Sequence, residues 1–241
     1  MPDRARSFGS VAADYARHRP GYPDEAIGWA LGGRRGDVLD LGAGTGKLTE
    51  SLVARGLRVT AVDPDPEMLA ELHRRIPGVD AREGDAEAIP LPDRSVDAVL
   101  AGQAMHWFDP TRALPEIRRI LRPGGVLAGL WNADDDEVDW VAGYHEVVWH
   151  ERQMPRGGDR PALPDWPGFG PAERREFPHS QRLTVEGLIA TIGTHSWALV
   201  GDPTDVQAAY GRVRAYLGSR PETRGEFDLP LVTTVLRADR G

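Results

Sequence analysis

The chain has 241 residues, of which 40% are hydrophobic and 27% are charged, and these values are typical of a globular protein. This length suffices for one well-buried α/β domain and is short for two domains with a linker. The formal net charge of −8 argues against nucleic acid or an anionic membrane as the main partner, because both attract basic surfaces. The sequence contains no cysteine, which excludes disulfides, thiolate metal sites and iron–sulfur clusters.

Residues 1–31 are predicted to form an N-terminal helical cap, in which the run from Arg19 to Pro23 separates two helical segments. This cap has no apolar core of the length that a signal peptide needs. No stretch of the sequence approaches the roughly eighteen apolar residues that a membrane span needs. We therefore expect a soluble, cytoplasmic protein with no membrane partner.

The sequence DVLDLGAGTG, at residues 37–46, is the stretch around which the rest of the chain is organised. It predicts a short strand and a glycine turn, and helical spacing follows directly after it. This order is typical of a nucleotide-binding βα unit, where glycines let the backbone approach a ligand and the helix start offers free N–H groups. The spacing of Gly42, Gly44 and Gly46 departs from the G-x-G-x-x-G dinucleotide fingerprint, and the flanking residues do not match a phosphate-binding P-loop.

Alternating strands and helices continue beyond the glycine turn, which indicates parallel βαβ units in a doubly wound α/β sheet. Strands are predicted at 58–62, 79–83, 96–101 and 126–131, with helices at 66–75 and 110–121. In such sheets, ligands bind outside the carboxyl ends of the strands. The residues at or just past these ends are Gly42, Asp63, Asp85, Gln103 and Trp131. Asp63 lies about twenty residues after the glycine turn, where an acid can accept both hydroxyls of a ribose.

The pattern changes after Asn132. Residues 133–172 are predicted to form an inserted helix at 138–151 and a loop rich in proline and glycine. The acids at 134–137 are interpreted as a cap for that helix, rather than as a metal site. Residues 173–241 are predicted to complete the sheet with strands at 173–183 and 227–236 and helices at 185–199 and 205–217. Six of the seven tryptophans lie at or after residue 107, which favours an aromatic, apolar ligand pocket built by this half of the chain, although core packing explains several of them equally well.

Four separated motifs together resemble the class I S-adenosylmethionine-dependent methyltransferases. They are VLDLGAGTG at 38–46, VTAVDPDPEML at 59–69, EGDAEAIPLPDRSVDAVLAGQAMHWF at 83–108 and ILRPGGVLAGLWN at 120–132. The chain looks most like the small-molecule branch, methyltransferase type 11, near the trans-aconitate and ubiquinone-biosynthesis methyltransferases. The resemblance implies a Rossmann-like, seven-stranded sheet, mostly parallel with an antiparallel last strand, behind the N-terminal cap. It also implies a single methyltransferase domain over residues 1–241, with residues 33–132 as its cofactor-binding half.

The resemblance further implies the cofactor, S-adenosylmethionine, and the residues that hold it. Asp85 would accept from the adenine amino group, and the backbone N–H of Ala86 would donate to the ring. The expected cofactor-binding residues are Gly42, Ala43, Gly44, Gly46, Asp63, Pro64, Met68, Asp85, Ala86 and Gln103. The N-terminal cap is expected across the mouth of this site, which would bring Tyr15 and Arg19 close to it.

Methyl transfer from a sulfonium is an in-line displacement, so the main task of the protein is to align the acceptor with the methyl group. His106, just past the fourth strand, is our candidate for a catalytic base, with contact to the acceptor as its alternative role. The expected acceptor-binding residues are Tyr15, Arg19, His106, Trp107, Trp131 and Tyr144. The segment around His106 lacks the Asn/Asp-Pro-Pro-aromatic motif of adenine and glutamine methyltransferases, which favours a small-molecule acceptor.

Two other functions stay open at this point. A non-catalytic S-adenosylmethionine-binding protein would carry the same binding residues. A nicotinamide-dependent oxidoreductase on a related fold would need an unusual turn, and Lys47 at the position after Gly46 disfavours it. The expected partner is a small-molecule methyl acceptor, and the expected assembly is a monomer or a homodimer without a bound metal.

Overall fold

The computed structural model describes residues 17–149 and 165–241. Tyr15 and most of the loop rich in proline and glycine lie outside the described residues. The strands are β1 Asp37–Leu41, β2 Arg58–Asp63, β3 Asp80–Glu83, β4 Val96–Gly102, β5 Leu121–Asp134, β6 Glu173–Thr184 and β7 Glu226–Asp239. The α-helices are α1 Asp24–Leu31, α2 Lys47–Ala54, α3 Pro66–Arg75, α4 Pro110–Ile120, α5 Asp139–Trp149, α6 Val185–Gly193, α7 Ser196–Val200 and α8 Pro203–Gly218. Single 3₁₀ turns lie at Met105–Trp107 and Pro221–Thr223.

The seven strands form one sheet in the order β3-β2-β1-β4-β5-β7-β6. The pairs among β1 to β5 are all parallel. In contrast, β7 runs antiparallel to both β5 and β6. This arrangement confirms the predicted doubly wound sheet with an antiparallel last strand. The strand order reverses between β1 and β4, and a reversal of this kind opens a crevice for ligands at the carboxyl ends of the strands.

Helices cover both faces of the sheet, so the central strands are apolar on both sides. On β1, Val38 packs in the core that includes Ile27 of α1 and Leu52 of α2. The next residue, Leu39, points to the opposite face and packs in the core that includes Ile117 of α4. This alternation is the ordinary consequence of a pleated strand. The glycine turn follows at the carboxyl end of β1, between Leu41 and Lys47.

A separate apolar core is built by the C-terminal half of the chain. It joins α5, α6 and α8 to the first half of β7, with Val141, Leu188, Val213 and Leu229 among its buried members. Because β7 is antiparallel to β5, its first half pairs with the last residues of β5, and Leu231 stands opposite Asp134. This second core therefore lies beside the carboxyl edge of the sheet, where it can wall an acceptor site.

Three differences between the predicted elements and the structure bear on the site. The fifth strand does not end at Trp131, because pairing with β7 continues to Asp134. Asp134 is therefore a strand residue and not a helix cap, and it is Asp135 whose side chain accepts from the N–H of Glu137 at 3.2 Å. The predicted helix at 185–199 is two helices, α6 and α7. The break falls at Thr194, whose hydroxyl donates to the carbonyl of Thr191 at 2.6 Å.

Residues 17–23, which we call the N-terminal strap, are held against the C-terminal half of the chain. The carbonyl oxygen of His18 accepts hydrogen bonds from Gln181 Nε2 and Thr191 Oγ1, both at 3.1 Å. Arg19 Nη2 donates to the carbonyl oxygen of Thr194 at 3.2 Å. These bonds fix the strap beside α6, close to the carboxyl edge of the sheet.

Candidate active site

The glycine turn between β1 and α2 forms one wall of a cavity. Gly44 has a backbone φ of +53°, and a Cβ added there would point into open space with no atom within 4 Å. Gly42, with φ +73°, instead lies so close to Ala104 that a Cβ would meet the Ala104 side chain at 2.5 Å. Positive φ angles of this kind favour glycine. Gly44 thus presents bare backbone to the cavity, while Gly42 allows the turn to pass against β4.

Gly46 serves a different purpose from the one predicted for it. Its Cβ would lie 2.9 Å from Leu72 Cγ and 3.0 Å from Ile76 Cδ1, in the packing between α2 and α3. It is absent from the residues that line the cavity. The third glycine therefore allows close packing of the helix, which is the role of the last glycine in related nucleotide-binding turns.

Asp63, at the end of β2, is fixed beside the turn by backbone donors. Its Oδ2 accepts from the N–H of Gly44 at 2.8 Å, and its Oδ1 accepts from the N–H of Asp65 at 3.0 Å. The residue is only 8% exposed, and this burial raises the pKa of Asp63 to about 6 despite the two backbone hydrogen bonds. Each carboxylate oxygen still has a second lone pair, so Asp63 can accept from ligand hydroxyls without releasing the turn.

Asp40, inside β1, is a second carboxyl at this wall, and the sequence analysis did not single it out. Thr49 Oγ1 donates to its Oδ2 at 2.6 Å, while the buried Oδ1 has no hydrogen-bond partner among the described residues. Burial, reinforced by the nearby charge of Asp63, raises the pKa of Asp40 to about 7. The sequence signal was an acid in an otherwise apolar strand, which is a costly placement unless a partner compensates it.

The other predicted cofactor residues lie around the same wall. Ala86 and Met68 are buried there, and Asp85 is exposed, with its Oδ1 accepting from the N–H of Glu87 at 3.0 Å. Gln103 adopts φ +56°, an uncommon conformation for a residue other than glycine, and its Nε2 donates to the carbonyl of Asn132 at 2.8 Å. The predicted residues that the structure brings together here are Gly42, Ala43, Gly44, Asp63, Pro64, Met68, Asp85, Ala86 and Gln103.

This wall and a second wall enclose one continuous cavity of about 820 Å³. The second wall is built by the N-terminal strap, the 3₁₀ turn at Met105–Trp107, the end of β5, α5 and the α6–α7 junction. Of the residues predicted to bind the acceptor, it contains Arg19, His106, Trp107 and Tyr144. A cavity of this size holds a cofactor and a small ligand together.

His106 and Trp107 lie on the single 3₁₀ turn at the rim of the cavity. Their ring centroids are 4.8 Å apart at a tilted angle, and Trp107 remains 42% exposed. His106 is exposed as a residue, yet desolvation by its surroundings lowers the pKa of the imidazole. At neutral pH the His106 ring is therefore neutral and can accept a hydrogen bond or a proton.

Trp131, also predicted to contact the acceptor, does not line this cavity. Its ring lies over Gly129 and next to the sulfur of Met105, and it packs against the core on the α4 face of the sheet. The reason is the length of β5: because the strand continues to Asp134, Trp131 lies within the sheet rather than beyond its end. Tyr15 lies outside the described residues, so its predicted contact stays a prediction.

The second wall holds a polar cluster that the sequence analysis did not assemble. Asp134 Oδ2 accepts from the hydroxyl of Tyr144 and lies 2.9 Å from His145 Nε2, which is in turn 3.2 Å from the Tyr144 hydroxyl. His195, at the start of α7, faces the same space, and burial with the nearby charges of Arg19 and His145 lowers its pKa to about 3. An acid three residues past the predicted fifth strand was the only signal in the sequence, because the histidines join it only through tertiary packing.

In residues 17–149 and 165–241, no group of three or more histidine, aspartate or glutamate side chains is placed to hold a metal ion. Over the same ranges, no helix has the length and apolar character that crossing a bilayer requires.

Comparison with known proteins agrees with this geometry. Residues 39–129 match the family described as the methyltransferase domain. An uncharacterised methyltransferase of Mycobacterium tuberculosis is 44% identical over 238 residues, covering 98% of this chain and 96% of that protein. An uncharacterised methyltransferase-like protein of Schizosaccharomyces pombe is 38% identical over 205 residues, covering 80% of this chain and 78% of that protein.

Among solved structures, a provisionally assigned type II methyltransferase from Anaeromyxobacter dehalogenans superimposes with a TM-score of 0.65 at 31% identity, covering 92% of this chain and 97% of that one. The fold, the glycine turn with its strand-end acid and these relatives define one class of enzyme. The chain belongs to the class I S-adenosylmethionine-dependent methyltransferases, as the four motifs predicted.

Proposed function

We propose that this protein binds S-adenosylmethionine at the glycine-turn wall and transfers its methyl group to a small molecule held at the opposite wall. The observation that carries the proposal is the single cavity into which the open backbone of Gly44, the carboxylate of Asp63 and the polar cluster around Asp134 all face. Such a cavity brings an activated methyl group and its acceptor together in the absence of bulk water.

The residues present fit this cofactor. Gly44 offers space that any Cβ would fill, and Asp63 offers acceptor oxygens for ribose hydroxyls. The buried, unpartnered Oδ1 of Asp40 suits a ligand that carries positive charge, as the ammonium and sulfonium groups of S-adenosylmethionine do. When bound, this cofactor supplies a methyl carbon that is already activated for displacement.

The chain's own contribution is mainly alignment and exclusion of water. Holding two reactants in line is worth about 7–11 kcal/mol of the barrier in favourable cases. The apolar residues of the second wall, among them Val148, Ile192 and Leu231, desolvate the acceptor. His106 adds a neutral imidazole at the rim, which we expect to contact the acceptor and which stays a candidate base.

Calorimetry with S-adenosylhomocysteine tests the proposal directly. We expect micromolar-scale affinity, about −8 kcal/mol. Asp63→Ala should weaken it by about 1.5–3 kcal/mol through the loss of hydrogen bonds to a charged acceptor, and Asp63→Asn, which keeps one acceptor oxygen, should lose less. Asp136→Ala, at an exposed acid outside the cavity, is the matched control.

The competing functions predict other outcomes. Tighter binding of NAD than of S-adenosylmethionine would favour the oxidoreductase. Binding without release of S-adenosylhomocysteine from any acceptor tested would favour a non-catalytic binder. Unchanged affinity in Asp63→Ala would remove Asp63 from the cofactor site.

A further inference from the structure

The polar cluster of Asp134, Tyr144 and His145 is an arrangement that cofactor binding does not require. Its three side chains come from the end of β5 and from two adjacent positions on α5, and all three line the acceptor wall. Their side chains are largely buried, with Tyr144 3% exposed as a residue and the Asp134 and His145 side chains 21% and 15% exposed. A hydrogen-bonded acid, phenol and imidazole facing a cavity form a constellation that can remove a proton.

We propose that Tyr144, positioned by Asp134 and His145, takes the proton from a methyl acceptor that carries an ionisable hydroxyl on an apolar body. This inference rests on the proposed methyl transfer and names the acceptor class of the same site. It assigns proton removal to Tyr144 rather than to His106 at the rim.

The hydrogen bonds of Tyr144 orient its hydroxyl so that the oxygen can accept a proton from a ligand. Its hydroxyl donates to Asp134 Oδ2, so a lone pair of its oxygen is left to accept from a ligand O–H even when His145 engages the other. His145 Nε2, at 2.9 Å from the same carboxylate oxygen and 3.2 Å from the phenol, holds the pair in place. His106, in contrast, lies exposed at the rim, 4.8 Å ring to ring from Trp107.

The other titratable groups of this wall are poor alternatives. The low pKa of His195, about 3, keeps its imidazole neutral and makes it a weak base. Arg19 is a cation and cannot accept a proton. A methyl acceptor with a neutral hydroxyl can donate a hydrogen bond toward the negatively charged Asp134 cluster. A methyl acceptor with a carboxylate would be repelled by the charge of Asp134. The nearby apolar side chains of Val148, Ile192 and Leu231 favour an acceptor with an apolar body.

The step balances without any further reactant. The acceptor oxygen forms a bond to the methyl carbon while the carbon–sulfur bond breaks, and the bonding pair stays on sulfur. The hydroxyl proton moves to the Tyr144 oxygen as the phenolic proton moves to Asp134. The positive charge of the sulfonium and the negative charge of the carboxylate are both lost, and in a desolvated site their attraction holds the reactants together beforehand.

Binding tests the acceptor class without turnover. Naphthol, naphthoate and naphthylamine share one apolar body and differ in the reacting group. With protein saturated in S-adenosylhomocysteine, we expect calorimetry to show naphthol binding at least about tenfold more tightly than naphthoate. Preferred binding of naphthoate or naphthylamine, or no binding of naphthol, would overturn the assignment while leaving the cofactor affinity, and so the proposed function, intact.

Turnover of naphthol, read as S-adenosylhomocysteine release, tests the proton step. Asp134→Asn and Tyr144→Phe should each lower kcat by about 10²–10⁴-fold, as expected for loss of general base catalysis, with cofactor affinity unchanged. Asp136→Asn, two residues away and exposed, should match the parent protein. If Asp134→Asn does not fold, Tyr144→Phe alone carries the test.

Acceptors of different acidity distinguish proton removal by Tyr144 from a purely structural role of Tyr144. At about pH 8, para-nitrophenol is already largely ionised and needs no base, whereas naphthol is largely protonated. The loss caused by Tyr144→Phe should therefore be much smaller for para-nitrophenol than for naphthol. An equal loss for both acceptors, or a loss in His106→Ala larger than in Tyr144→Phe, would show that Tyr144 does not take the proton.

Discussion

The buried carboxyl of Asp40 should make the stability of the protein depend on pH in an unusual direction. Burial raises its pKa from 3.8 to about 7 in the folded protein. Between these two values the folded state holds a proton that the unfolded state has released. The free energy of unfolding therefore falls as pH rises through this window and levels off above the folded pKa.

The magnitude follows from the size of the shift. One pKa unit corresponds to about 1.4 kcal/mol, so a rise of about three units corresponds to about 4 kcal/mol for ionising Asp40 in place. About two of these units lie between pH 5 and pH 7. We therefore expect Asp40 alone to lower the free energy of unfolding by about 3 kcal/mol between about pH 5 and about pH 8.

Urea denaturation of the parent protein and of Asp40→Asn at these two pH values measures the effect. The amide keeps an acceptor for the Thr49 hydroxyl and cannot ionise, so the variant should lack this part of the pH dependence. Asp63, whose pKa is also raised, contributes in the same direction in both proteins, so the difference reports Asp40 together with its electrostatic interaction with Asp63. Parallel pH dependences in the two proteins would refute the reasoning, and Asp136→Asn should follow the parent.

Two further predictions concern single positions. Gly44→Ala should abolish S-adenosylhomocysteine binding in calorimetry, because a Cβ would enter the cavity, whereas Gly56→Ala, with a similar φ of +75° and open space away from the cavity, should bind normally. Equal effects of the two substitutions would show that backbone strain, and not the added side chain, is responsible. His106→Ala should lower kcat/KM for naphthol by no more than about tenfold, the value of one lost hydrogen bond. A loss of about 10²–10⁴-fold would instead restore His106 as the base.

The residues of the glycine-turn wall could be placed together from the sequence because their signals are local. The glycine turn and Asp63 lie at the ends of apolar strands, Asp85 lies just past a short strand, and parallel strands bring their carboxyl ends to one edge of the sheet. Gly46 was assigned to the ligand because sequence cannot show that its open side is filled by Leu72. Asp40 was missed because a strand pattern does not reveal which buried residue faces a cavity.

The opposite wall of the cavity could not be predicted to the same depth, because its residues meet only through tertiary packing. The end of β5 is set by pairing with β7, about a hundred residues later, and this pairing moves Trp131 into the sheet and Asp134 to its edge. Likewise, His195 reaches the cavity because the chain breaks between α6 and α7 at Thr194. No local pattern in the sequence predicts the pairing of β5 with β7 or the break between α6 and α7.

The anchoring of the N-terminal strap has a consequence for the order in which the protein matures. The strap precedes its hydrogen-bond partners at Gln181, Thr191 and Thr194 by more than 160 residues, so it is synthesised well before them. Domains form as their chain emerges from the ribosome, and contacts of such long sequence separation close late. The parallel strands that carry the glycine turn are all synthesised before residue 135, so we expect the glycine-turn wall to be able to form before Arg19 reaches its partner at Thr194.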